Sequence, residues 1–276
     1  VLLGLLDTAT IATPESLLGL FGLGIFTGAV AGVLGIGGGL LIVPVLSLWS
    51  IPLVQATATS LVGVWMSAVS GTVQNWRKGQ LDGRSSIVLA VFGMVTASLG
   101  AWVGKVLPNA AIAFSFAGLM WVIIYLMDLK QKLKVREKTI TDATESLSDR
   151  RPPEPLRLPQ VAGIGLGAGF LSGLFGVGGG AIMVPLQMLF LGEPIKSAVR
   201  TSLGAIVLIA MSGLVSHTLN GNVLWPPGIA IALGGMLGAQ LGTRLLNRLS
   251  SKAVDRTFRG LLILLSVYMV WKGFSS

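Results

Sequence analysis

Residues 16–76 contain no Asp, Glu, Lys or Arg, and residues 158–192 contain none either. A water-soluble domain is not built this way, because about a quarter of its residues are charged. Between 201 and 243 the only ionisable side chain is His217. Roughly 20 apolar residues cross the ~30 Å hydrocarbon core of a bilayer, so the chain reads as an all-α polytopic membrane protein. The whole sequence agrees: it is 53% hydrophobic, 11% charged and carries 38 glycines. A net charge of +9 would point to nucleic acid in a soluble protein. Here it reflects Lys- and Arg-rich loops on the cytoplasmic side, and no nucleic-acid partner is expected. Cysteine is absent, which removes disulfides and thiolate metal sites. No metal and no cofactor is expected.

An internal repeat organises the chain. "GVLGIGGGLLIVP" at Gly32–Pro44 returns as "GLFGVGGGAIMVP" at Gly173–Pro185, an offset of 141. With one residue of drift the match continues: Thr59-Ser60-Leu61 with Thr201-Ser202-Leu203, Ser70-Gly71 with Ser212-Gly213, and Gly93-Met94 with Gly235-Met236. The reading is a first transmembrane repeat over 1–129, a charged, Pro-bearing linker over 130–159, and a second repeat over 160–276. Apolar segments fall at 16–34, 40–50, 53–76, 85–105 and 110–129. Their counterparts fall at 160–176, 181–192, 194–219, 227–247 and 254–273. Pro52 and Pro194 open the third segment of each repeat, as expected at the first turn of a helix.

From Leu17 to Trp49 there are 33 residues, about 50 Å of helix at 1.5 Å per residue. That is too long for one crossing and too short for two. The expected resolution is a re-entrant helical hairpin that turns at Gly37–Gly39 and leaves by the side it entered, with a second hairpin turning at Gly178–Gly180. Each repeat then makes three crossings besides its hairpin, and an odd number inverts the second repeat relative to the first. Of the 20 Lys and Arg residues, setting Arg200 aside as intramembrane, only Lys105 and Lys272 then oppose all the others. The positive-inside rule favours this arrangement. Both termini are expected outside, with the linker in the cytoplasm.

Inverted repeats with helices broken at mid-membrane are a recurring plan of secondary transporters. A helix that begins inside the membrane has N–H groups without partners. Those groups and the positive end of its dipole form an anion site, and glycine lets a ligand reach the backbone. Helix starts at Leu40 and Ala181 would thus converge on one site from opposite sides. The competing reading is that the glycines only let helices pack closely.

The doubled G-x-L/F-G-x-G-G-G-x-x-x-V-P motif, each copy followed by T-S-L, resembles the sulfite exporter TauE/SafE family over about 16–129 and 160–273. The resemblance implies export of sulfite, sulfoacetate or related small organic and sulfur-containing anions, and it implies the direction of transport.

The expected substrate-binding set is Gly37, Gly38, Gly39, Leu40, Thr59, Ser60, Gly178, Gly179, Gly180, Ala181, Arg200, Thr201 and Ser202. The hydroxyls of Thr59, Ser60, Thr201 and Ser202 can donate to sulfur-oxyanion oxygens, or can bond carbonyls of their own helix. Arg200 offers a fork suited to oxyanions, or snorkels to the cytoplasmic surface. His217 is a group for proton coupling, or packs a helix end. Gln74, Asn75 and Gln240 line the path, or join helices by hydrogen bonds. Trp49, Trp76, Trp225 and Trp271 sit at segment ends, as interfacial anchors do. An intramembrane enzyme would need a nucleophile–base pair or a metal constellation, and the ingredients are missing. The expected function is a secondary transporter in the bacterial plasma membrane, whose partners are a small sulfur-containing anion and the lipid bilayer. An anion channel of the same architecture, or a carrier of another small organic anion, stays open.

Overall fold

The structure, a computed structural model, describes residues 13–34, 37–49, 51–143, 158–193, 195–245 and 251–275. The helices are α1 (Pro14–Leu34), α2 (Gly39–Leu48), α3 (Leu53–Arg77), α4 (Gly83–Val106), α5 (Asn109–Ala143), α6 (Leu158–Phe175), α7 (Gly180–Leu186), α8 (Ile195–Leu219), α9 (Trp225–Leu245) and α10 (Ser251–Ser275). A π-helical turn, Gln187–Leu191, extends α7. Helix ends fall within three residues of the apolar segments, except that α5 continues to Ala143 through the first part of the stretch read as a linker. Pro52 caps α3 from just outside the helix, while Pro194 lies outside the described residues, as do the side chains of 130–157, Lys196, Arg244, Arg248, Lys252 and Arg256.

Six of these helices are long and apolar enough to cross a membrane: Pro14–Gly32, Leu53–Arg77, Gly83–Val106, Asn109–Leu126, Leu158–Phe175 and Ser197–Leu219. Their outward faces are apolar too. Val95, Leu99, Trp102 and Val106 form an exposed stripe on α4, as do Leu233, Leu237 and Leu241 on α9. Hydroxyl residues such as Thr59, Ser60, Thr201 and Ser202 are buried instead. An apolar outer surface with its hydroxyl groups turned inward is the arrangement a bilayer favours. Trp49, Trp76, Trp225 and Trp271 are exposed at or beside helix ends, where interfacial aromatics anchor.

Close approaches fix how the helices run. In the central pair, Gly71 of α3 meets Leu203 of α8 and Leu61 meets Gly213, so α3 and α8 are antiparallel. α5 and α10 are antiparallel as well, with Phe114 edge-on to Phe274 at one end and Asp128 paired with Arg259 at the other. By contrast α1 runs parallel to α9: Gly234, Gly238 and Gly242 rest on the carbonyls of Phe21, Ile25 and Ala29. Likewise Gly165, Gly169 and Gly173 of α6 rest on the carbonyls of Leu89, Gly93 and Ala97 of α4. These seams need glycine because backbone touches backbone. A Cβ at Gly28 would stand 2.7 Å from Gly235 Cα, inside van der Waals contact.

α9 also runs parallel to α3, with Gly228 by Val62 and Ser70 donating to Met236 O at 3.1 Å. α4 and α8 match this pattern: Ser86 donates to Thr201 O at 3.0 Å, and Lys105 Nζ to Asn220 Oδ1 at 2.9 Å. Two consequences follow. Because α1 and α3 both run with α9, they start at the same end of the bundle, and α2 must bring the chain back to it. The same holds for α6 and α8 beside α4. Each of these extended pairings also joins a helix of the first five to one of the last five, so the two halves of the chain are interlaced.

Candidate functional site

Gly37 and Gly38 have φ of 79° and 76°, and Gly178 and Gly179 have 79° and 74°. Only glycine holds this left-handed conformation without strain, and two in succession reverse the chain. Gly38 lands on Thr27, where its missing Cβ would be 3.0 Å from the carbonyl oxygen. Gly179 lands on Ala168 in the same way, at 2.6 Å. Each contact falls seven residues before its helix ends, so the helix overshoots the turn that closes on it.

The two turns also meet one another. A Cβ at Gly37 would be 3.2 Å from Val177 O and 3.8 Å from Gly178 Cα, and one at Gly39 would fall on Gly176 O. Val64 and Ile206 press on this junction, each from the middle of a 25-residue helix. The junction therefore lies at mid-height of the central pair. Helices α2 and α7 begin there at Gly39 and Gly180, one residue ahead of the expected Leu40 and Ala181. Leu41 and Ile42 donate to Gly38 O at 3.1 and 3.4 Å, and Ile182 and Met183 donate to Gly179 O at 3.2 and 3.0 Å. The N–H groups of Gly180 and Ala181, both buried, find no acceptor among the described residues.

The expected hydroxyls divide by role. Ser60 Oγ donates to Thr57 O at 2.7 Å and to Gly176 O at 2.9 Å, tying α3 to the opposite glycine turn. Ser202 Oγ donates to Val199 O at 3.0 Å. Thr59 Oγ1 accepts from Leu224 N at 3.0 Å, in the irregular segment before α9. Thr201 is 1% exposed and its hydroxyl has no partner. Arg200, beside it, is half-buried and makes no ion pair among the described residues.

The path residues stand apart from the junction. Gln74 and Asn75 lie at the far end of α3, roughly 15 Å along the helix from Val64 at 1.5 Å per residue, and Gln240 is on the exposed face of α9. His217 is buried with Nε2 3.0 Å from Gly173 O, joining α8 to the last glycine of the α6 seam, while Nδ1 has no partner. Four residues at the junction escape the sequence reading: Val64, Ile206, Thr57 and Gly176. Only Gly176, with φ of 67°, carried a signal, because it is the fourth residue of the "GLFG" that opens the second motif.

At the end of the bundle where α4 and α8 start, Glu193 Oε2 accepts from Ser197 at 3.4 Å. Burial, and then the negative charge of Asp82, push the Glu193 carboxyl above the usual carboxylate range, with the Ser197 hydroxyl pulling the other way. The folded protein therefore keeps a proton that the unfolded chain releases. Its contribution is complete below the unfolded pKa and is lost as pH rises through the folded one. Glu193→Gln is expected to flatten this: its melting temperature relative to wild type should rise as pH climbs from the ordinary glutamate value of about 4.3 toward neutrality. Melting curves across that range check it, and a constant difference would remove Glu193 as the cause.

Comparison with known proteins matches the sequence to a family. The family model for the sulfite exporter TauE/SafE matches residues 20–269. The chain is 31% identical over 266 residues to the probable membrane transporter protein YunE of Bacillus subtilis, covering 92% of this chain and 97% of that one. It is 26% identical to a probable membrane transporter protein of Xylella fastidiosa, covering 96% and 98%. No solved structure matches it. A helical membrane bundle with glycine-broken helices meeting at its centre, matched over nearly its whole length, belongs to the sulfite exporter TauE/SafE family of membrane transporters.

Proposed function

We propose that this chain is a secondary transporter that exports small sulfur-containing anions, such as sulfite, sulfoacetate or related organosulfonates, across the bacterial inner membrane by alternating access. The observation that carries the reading is the meeting of two glycine turns at mid-height of the central helix pair. There α2 and α7 begin, the Gly180 and Ala181 N–H groups lack acceptors among the described residues, and on α8, five residues before Ile206, the Thr201 hydroxyl is unpartnered. Donors without acceptors in a buried, uncharged setting favour a small oxyanion. Since the turns touch, the anion sits against their flanks, and entry from either side requires α3 and α8 to part.

The topology proposed is two inverted repeats, each a re-entrant hairpin plus three spanning helices, with both termini outside and the linker inside. Antiparallel α3/α8 and α5/α10, and parallel α1/α9 and α4/α6, are the relations such an inversion produces. Lys105 and Lys272 lie at the end opposite Arg77, Lys78, Arg84 and Arg259, in keeping with positive loops inside. An inside-negative potential then assists export by about 2.3 kcal/mol per charge per 100 mV.

The test is calorimetric titration of the purified protein with sulfite, sulfate, thiosulfate, sulfoacetate, taurine and acetate, followed by counterflow of the best binder in liposomes. Saturable binding of a sulfur oxyanion with counterflow is expected. Acetate binding alone would replace the substrate class, and conduction without counterflow would make the protein a channel.

A further inference from the structure

Several buried hydroxyl groups in this bundle bond a carbonyl of their own helix three residues back, as Thr27, Ser47, Ser60, Ser202 and Ser266 do. That is the ordinary way to bury a hydroxyl among apolar helices. Thr57 and Ser172 do not. Thr57 is 1% exposed and Ser172 is fully buried, and neither hydroxyl has a partner. A donor left bare in an apolar interior carries its full desolvation cost, so two of them call for an occupant.

The backbone carbonyls of both residues border Gly176. The Gly176 N–H donates to Ser172 O at 2.8 Å, and the space where a Cβ of Gly176 would stand is taken by Thr57 O and Ser60 Oγ. Ser60 bridges Thr57 O and Gly176 O. The offsets of the internal repeat place Val199 opposite Thr57 and Ala31 opposite Ser172, and both of these are buried and apolar. The Thr57 and Ser172 hydroxyls thus have no hydroxyl counterpart at the repeat-matched positions.

We propose that the transported oxyanion binds off-centre, at a subsite beside the second glycine turn, where the Thr57 and Ser172 hydroxyls donate to its oxygens. The inference rests on the anion reading above and specifies where that anion sits. The asymmetry has a use. A ligand at the exact midpoint of two equivalent half-sites would contact both alike, whereas an off-centre one stays with one group of helices as the seam between α3 and α8 opens.

The experiment replaces each residue by the type the chain itself carries at the matching position, Thr57→Val and Ser172→Ala, singly and together in the intact protein. Sulfite, thiosulfate and sulfoacetate are titrated calorimetrically, and the ligand-free melting temperature is measured in parallel. Removing an unpartnered buried hydroxyl should leave ligand-free stability unchanged or raised. The dissociation constant of whichever anion wild type binds should weaken at least tenfold in the double variant. Unchanged affinity in a stable double variant would overturn the subsite while leaving the anion reading intact. Wild type binding none of the three would overturn both. A double variant that melts lower and binds as before would make the two hydroxyls structural.

Discussion

Gly39→Ala is expected to destabilise the protein by on the order of 3 kcal/mol, although alanine normally strengthens a helix by about 0.5–1 kcal/mol over glycine. Gly39 is the first residue of α2 and is absent from the positive-φ positions, so its backbone suits alanine. The obstacle is the opposite turn: the added Cβ would fall on Gly176 O and stand 2.9 Å from both Val177 Cα and Val64 Cγ2. Overpacking against side chains typically costs 1–3 kcal/mol because they can shift. Here two of the three obstacles are backbone, held by the opposite hairpin, and the cost belongs at the top of that range. Gly221→Ala is the control, since Gly221 has φ of 69° and open space around it. It should lose only the left-handed penalty, roughly 1–2 kcal/mol. Melting curves in detergent of wild type and both variants decide the matter. Equal losses would mean that the two turns do not touch in solution.

Much of this fold was legible in the chain. Uncharged runs marked the helices and the doubled glycine motif marked both turns, while the re-entrant hairpin read from the length between Leu17 and Trp49 belongs to the topology proposed above. The lateral arrangement was not legible. A glycine face that seats against a carbonyl, as Gly169 does on Gly93, has the same composition as one that merely lines a surface, so nothing along the chain names its partner. The same ambiguity hid the contact between the turns, which depends on where α1 and α6 are held by α9 and α4. Polar residues were harder still. Thr57, Thr59, Ser60, Thr201 and Ser202 look alike in sequence, yet Ser60 bridges to a turn, Thr59 holds the start of α9, and Thr57 and Thr201 bond nothing. Gln240 was singled out for its polarity in an apolar run, but its place on the helix turns it outward.

The interlacing of the halves makes the linker a place to cut. With the chain divided between Ala143 and Leu158 and both pieces expressed together, the pieces are expected to copurify as one folded complex. Either piece alone is expected to aggregate or be degraded. The physical reason lies in the seams. α1 finds its parallel partner α9 in the second piece, and α6 finds α4 in the first. Without those partners a glycine face presents backbone carbonyls to hydrocarbon, where glycine offers no side chain to cover them. The same seams bear on movement. Rocking the first five helices against the last five would open α1/α9, α4/α6, α3/α9 and α4/α8 together. Moving α1, α2, α3 and α9 as one body against α6, α7, α8 and α4 opens the α3/α8 seam, where the glycine turns meet, and spares the α1/α9 and α4/α6 glycine seams. In the alternating access proposed above, the moving bodies are therefore expected each to borrow a helix from the other half. Fragments 1–143 and 158–276 that each fold as a stable monomer would overturn the interlacing and return the moving bodies to the two halves of the sequence.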